Sequence, residues 1–114
     1  MNVANMIRLR DHLATLQDDQ VKMNDWLRVG HCGTVACIAG WSFVLVCPDL
    51  DYNLYMKQVD ENRAVHPEVV ATEWLDLSQY EANHLFMGRW MRGPLGSITR
   101  QQVIDHLSKL IGDA

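Results

Sequence analysis

The chain has 114 residues, which suits one ordinary domain and is short for two. Apolar residues make up 48% of it, enough to build a core and too many for a disordered tail, a collagen-like repeat or a low-complexity segment. Ten Lys and Arg against fourteen Asp and Glu give a formal net charge of −4. This balance argues against a nucleic-acid binder driven by bulk positive charge. We therefore predict one domain over residues 1–114.

The amino-terminal segment does not read as an export signal, because Arg8, Arg10 and Asp11 interrupt its apolar residues early. The longest apolar run, 35–47, is shorter than the about 20 residues that a membrane span needs, so it predicts a buried helix. The chain also has an odd number of cysteines, three. Together these features predict a cytoplasmic protein with reduced thiols and no membrane association.

The spacing of the cysteines and histidines indicates neither a metal site nor a bound cofactor. Cys32, Cys37 and Cys47 lie five and ten positions apart, without the C-x-x-C pair of zinc sites or thioredoxin-type motifs. The five histidines are scattered, and none forms an H-x-x-x-H or H-E-x-x-H pair. We predict no cofactor and no metal, and we expect Cys37 and Cys47 to be core residues.

Apolar periodicity predicts a first helix over 3–17 with one buried stripe, followed by a connector over 21–30. Gly33 permits a sharp turn, and Thr34 can cap a central helix that ends at Pro48. Small residues in that helix would allow a close approach by a neighbouring helix. Alternating apolar and polar residues near 44–56 leave a short β-hairpin open there.

The C-terminal half contains three sets of helix boundary signals. Pro67 suits the first position of a helix that ends near residue 75. Ser78-x-x-Glu81 and Thr99-x-x-Gln102 are capping boxes, and Gly112 stands where a C-terminal cap belongs. The predicted fold is all-α, a compact bundle of about five helices, with the hairpin near 44–56 as the main alternative to a purely helical fold.

The order of these segments resembles a group of small uncharacterised proteins of phages and bacteria. The segments are CGTVACIAGW at 32–41, WLDLS at 74–78, Glu81-Ala82 and Leu85-Phe86. Members of the group carry C-G-T-x-x-C-x-A-G followed later by L-x-L-S-x-x-E-A-x-x-L-F. The resemblance covers most of the chain apart from 49–65. It implies an accessory protein of a phage or mobile element, a class that often acts by binding a host protein.

Cys32 is the first candidate for chemistry. It precedes the predicted helix start, where backbone N–H groups and the helix dipole lower the pKa of a thiol. A nucleophilic thiol also needs a base, which His12, His84 or His106 could supply from elsewhere in the fold. The alternative is a small buried residue at a tight turn into the helix, and the sequence identifies no partner base.

The tryptophans beside arginines are the second candidate. Trp90 lies between Arg89 and Arg92, which is the composition of a protein-binding hot spot and also allows stacking with single-stranded nucleic acid. The alternative is a Trp that closes the core while both Arg side chains stay in water. Trp26, close to Arg28, raises the same question.

These observations favour a non-enzymatic protein-interaction module without catalytic residues, as a monomer or homodimer. Its partner would be a host or phage protein, and inhibition of a bacterial defence or regulatory protein is the expected action. One alternative is a thiol-dependent enzyme or sensor that uses Cys32, and another is a weak nucleic-acid binder. The predicted binding residues are Trp26, Arg28, Cys32, Arg89, Trp90 and Arg92.

Overall fold

The fold is known from a computed structural model, which describes residues 1–30 and 33–112. Within these residues, the chain forms α-helices and one two-stranded antiparallel sheet, so the predicted helical bundle with a short hairpin is confirmed. Short 3₁₀ turns lie at Asp18–Gln20 and Leu95–Ser97. The elements are α1 (Val3–Ala14), β1 (Leu27–Gly30), β2 (Gly33–Ala36), α2 (Ile38–Val46), α3 (Tyr52–Asp60), α4 (Pro67–Trp74), α5 (Gln79–Phe86) and α6 (Arg100–Ile111).

Helix α2 is the centre of the core. All six residues from Ile38 to Phe43 are buried, and α2 packs against α1, α4 and α5. Its first turn lies directly against the backbone of residues 25–26, where the Cys37 N–H donates to the Asp25 carbonyl at 2.7 Å. The Trp41 indole Nε1 donates to the Gln20 carbonyl at 2.9 Å. A close approach to Gly40 therefore occurs, but its partner is the backbone of the bend at Trp26 and not the helix that the small residues predicted.

The hairpin lies earlier in the chain than the sequence indicated. β1 pairs with β2 in the register Leu27↔Ala36 to Gly30↔Gly33, and the prediction of a helix capped by Thr34 is therefore wrong. The central helix begins only at Ile38. Residues 44–56, which left a hairpin open, belong to α2, a connection and α3. The Tyr52 hydroxyl donates to the carbonyls of Val44 and Cys47 and ties this connection together.

The predicted boundaries of the C-terminal helices are confirmed. The imidazole Nδ1 of His66 accepts the Glu68 N–H at 3.1 Å and caps α4, whose first residue is Pro67. Both capping boxes form, with the Ser78 hydroxyl accepting the Glu81 N–H at 3.1 Å in α5. Gly112 ends α6 with a φ of 94°, in the left-handed region that favours glycine.

Helix α6 is attached to α1 and its following turn by one arginine. The Arg100 guanidinium donates to the carbonyl of Leu13 at 3.1 Å, and its Nε donates to the Asp18 carboxylate at 3.0 Å. The Leu13 carbonyl lies in the last turn of α1, where carbonyls lack their usual i+4 partner, and it also accepts the Leu16 N–H at 3.2 Å. Buried Leu9 and Leu13 on α1 and buried Leu107 on α6 belong to the same core. The position of α6 is therefore set by α1.

We predict that Gly40→Ala destabilises the fold by about 3 kcal/mol or more. An added Cβ would lie 1.6 Å from the Trp26 carbonyl oxygen, so the backbones of α2 and residue 26 would have to separate. Gly96→Ala is the matched control, because the nearest atom to its Cβ is a side-chain nitrogen of Asn24 at 3.2 Å. Urea unfolding measures both variants, and wild-type stability of the Gly40 variant would contradict the packing described here.

Candidate functional site

A groove of about 330 Å³ opens between α5 and α6. We call it the α5–α6 groove. It lies where two helices are held by different neighbours, since α5 packs against α2 and α4 while α6 packs mainly against α1. Most of its side chains are apolar or aromatic, and two are imidazoles. The lining residues are Met1, Leu77, Tyr80, Glu81, His84, Leu85, His106 and Leu110.

The capping box and the helical periodicity of α5 determine which of its side chains line the groove. The Glu81 carboxylate accepts the Ser78 N–H at 2.9 Å, which fixes the first turn of α5. This hydrogen bond and the Ser78 hydroxyl lower the pKa of Glu81, so it is ionised at neutral pH. Tyr80 and His84 follow each other at i, i+4, and their ring centroids lie 6.2 Å apart.

Tyr80 is the most exposed of the large apolar and aromatic side chains of the groove. Its exposed fraction is 79%, while Met1 at 43% and Leu110 at 36% also reach solvent. Leu85, at the bottom, is buried. The groove therefore has an apolar floor and an apolar rim that stands in water, an arrangement typical of a surface that binds another molecule.

His106 is held rigidly on the opposite wall. Its ring stacks on the Trp90 indole with centroids 4.2 Å apart and planes 5° from parallel. The Trp90 Nε1 in turn donates to the Leu85 carbonyl at 3.1 Å, near the end of α5. This chain of contacts bridges α5 and α6 beneath the groove and fixes the orientation of the imidazole.

The environment keeps the His106 imidazole neutral at physiological pH. Burial, and then the nearby His84 and Lys109, lower the pKa of His106 to about 4. A group with so low a pKa is a poor general base near pH 7, because little driving force remains for taking up a proton. His106 is better suited to hydrogen bonding and to contact with an apolar or aromatic ligand.

The residues predicted to bind fall at several places, and the structure does not gather them into the groove. Trp90 is half-buried and supports His106 from behind, while Arg89 and Arg92 are exposed on the segment after α5. Trp26 packs edge-on against the His66 ring at 4.5 Å. It also lines a small cavity of about 90 Å³ with Met87 and Leu95, among others.

Arg28 is exposed and pairs with the Asp25 carboxylate at 3.6 Å. Of the other two tryptophans, Trp41 is buried, and Trp74 is half-buried with the Arg8 guanidinium 5.7 Å from its ring centroid.

Cys32 lies outside the described residues. The argument that a helix start lowers its thiol pKa is wrong, because α2 begins at Ile38 and not near Thr34. Cys37 is buried as predicted, and burial raises the pKa of its thiol to about 11. Cys47 is half-buried beside the connection to α3. Cys37 is therefore a packing residue whose thiol is held protonated, and Cys47 packs against the core with part of its surface exposed.

Within residues 1–30 and 33–112, no group of three or more His, Cys, Asp or Glu side chains is arranged to hold a metal ion. In the same part of the chain, no helix has the length and apolar character needed to cross a membrane. Comparison with protein-family models, with curated proteins and with solved structures finds no match to the chain.

The sequence carried a partial signal for the groove. Tyr80, Glu81 and His84 on α5, together with Leu77 just before the helix, recur at spacings of three and four residues, opposite the buried Ala82 stripe. The capping box accounts for Glu81 within α5 alone and does not indicate a groove on that face. The pairing of this face with α6 depends on tertiary packing, which spacing within one helix does not reveal.

We predict that acid destabilises the folded chain through His106. Between pH 6.5 and about 4 the unfolded chain binds a proton at this residue that the folded chain does not, so folding stability falls as the pH is lowered through this window. His106→Phe keeps a ring on Trp90 and removes the titrating group. We expect this substitution to reduce the acid-induced loss of folding stability by about 1 kcal/mol. The figure allows for solvent screening, because the imidazole is only half-buried.

Urea unfolding of both proteins across this pH range measures the difference. Some acid sensitivity remains in the variant, because burial also lowers the pKa of His12. Parallel stability profiles for the wild type and His106→Phe would contradict the assignment.

Proposed function

We propose that this chain is a small, non-enzymatic protein-interaction module that binds a partner protein through the α5–α6 groove. The observation that carries the proposal is the exposure of Tyr80 on the rim of an apolar groove with a buried floor. Tyrosine is enriched among residues that dominate binding energy, because it combines a large apolar surface with a hydroxyl that can remain hydrated.

The size of the groove supports a side chain of a partner as its occupant. Small-molecule sites commonly measure about 300–1,000 Å³, so a groove of about 330 Å³ is at the small end of that range. It has room for one bulky apolar anchor, which would contact Leu85 below and Tyr80 at the side. The neutral His106 imidazole can accept an apolar neighbour without the cost of burying a charge.

The rigidity of the groove supports specific binding. Trp90 stacks on His106 and is hydrogen-bonded to the carbonyl of Leu85, so both walls are held in place before a partner arrives. A preformed site loses less conformational entropy on binding than a mobile one. The short capped helices that carry these residues provide the required scaffold.

For the biological setting, we propose an accessory protein of a phage or mobile element that binds and inhibits a bacterial defence or regulatory protein. The support is the resemblance of residues 32–41 and 74–86 to small phage and bacterial proteins. The small size and the net charge of −4 are compatible with this role. A module of this kind acts by occupying a surface of its target.

We predict that Tyr80→Ala with Leu110→Ala abolishes partner binding and leaves the fold intact, because both side chains are on the rim and alanine is a good helix former. The tagged wild-type chain and this variant are used to capture proteins from bacterial lysate. Leu50→Ala with Leu54→Ala is the matched control, since it removes two exposed apolar side chains outside the groove.

A partner should be retained by the wild type and the control and lost by the groove variant, with all three proteins showing the same helical circular dichroism. Equal capture by all three, or loss only in the control, would count against the groove as the binding surface.

A further inference from the structure

A second cavity, of about 310 Å³, lies on the outward face of α4. Glu68, Val69, Thr72 and Glu73 line it from one stripe of the helix, with spacings of one, three and four residues, and Gln79 at the start of α5 closes it. The buried Ala71 belongs to the opposite face of α4, which packs on α2. We call this space the α4 cavity.

The α4 cavity is rich in free hydrogen-bond acceptors. The Thr72 hydroxyl is already used, because it donates to the Glu68 carbonyl at 2.7 Å. The Gln79 Nε2 donates to the Asn83 side chain at 3.3 Å, which leaves the Gln79 Oε1 as an acceptor. Glu68 and Glu73 add two carboxylates, and neither forms an ion pair with another described residue.

Apolar surface lies beside these acceptors. Val69 on the cavity wall has an exposed fraction of 48%. An exposed valine beside two unpaired carboxylates matches a side chain that is apolar along its stem and cationic at its end. Arginine and lysine are such side chains, and they bury their methylene groups on apolar surface while the charged head stays polar.

The α4 cavity adjoins the α5–α6 groove. Gln79 lines the cavity and Tyr80, the next residue, lines the groove, so their Cα atoms are about 3.8 Å apart. Successive side chains on a helix are rotated by about 100°, which places the two openings on neighbouring sides of the first turn of α5. One short segment of a partner can therefore reach both.

We propose that the α4 cavity receives an arginine or lysine side chain from the same partner segment whose bulky apolar side chain fills the α5–α6 groove. The inference rests on the proposed function and specifies the chemistry of the partner. The aliphatic stem lies on Val69, and the cationic head donates to Glu68, Glu73 and the Gln79 Oε1. The net charge of −4 further favours the approach of a basic segment.

A selection from a random peptide display library, using the full-length folded chain as bait, tests this proposal. We expect enriched peptides to carry a bulky apolar residue and a Lys or Arg at a recurring spacing. Glu68→Gln with Glu73→Gln should weaken the binding of a synthesised, enriched peptide at least about tenfold, because it removes two charge-assisted hydrogen bonds. Fluorescence polarisation measures the Kd.

The matched control is Asp49→Asn with Asp60→Asn, which makes the same change in net charge at two exposed residues outside the cavity. It should change the Kd less than about twofold. Enriched peptides without a cationic residue, or equal Kd values for the two variants, would overturn the cationic site. If enriched peptides without a cationic residue bind the wild type but not the Tyr80→Ala variant, the α5–α6 groove remains the binding surface. A selection that yields no Tyr80-dependent peptide overturns the groove and the cavity together.

Discussion

The contact between Gly40 and the backbone of residue 26 is the constraint on which the rest of the fold depends. α2 is apolar around its whole circumference and needs neighbours on every side. On the side of Gly40 that neighbour is the backbone of residue 26, which lies too close to leave room for a side chain at position 40. It brings the chain before β1 against the first turn of α2. The hydrogen bond from the Cys37 N–H to the Asp25 carbonyl then fixes the direction in which α2 leaves the hairpin. α4 and α5 pack on the helix so placed.

The groove follows from this arrangement. α5 is positioned through α2 and α4, whereas α6 is positioned through α1 and the Arg100 contacts at its end. Two helices fixed by different neighbours meet without close packing, and the stack of His106 on Trp90 bridges the gap between them. Trp90, which the sequence indicated as a contact residue for a partner, therefore supports the His106 ring from behind. The exposed aromatic residue of the groove is Tyr80.

The sequence predicted those parts of the structure that local chemistry determines. The caps at Ser78, Thr99 and Gly112 are local signals, and they give the helix boundaries correctly. The position of the hairpin does not follow from the sequence, because β2 (Gly33–Ala36) is short and is followed at once by a helix of similar apolar character. No change in the period of the apolar residues marks the boundary between them. The groove could not be predicted, because its two walls are about 20 residues apart in the chain and meet only through tertiary packing.

We propose that one continuous surface around the start of α5, apolar on one side and acidic on the other, binds the partner. The most direct test is backbone amide chemical-shift mapping by NMR, with a captured partner or selected peptide titrated into the labelled chain. We expect shift changes confined to residues 68–73, 77–85 and 106–110. Changes centred on the hairpin or on the Arg89–Arg92 segment, with the α5–α6 groove unaffected, would contradict it.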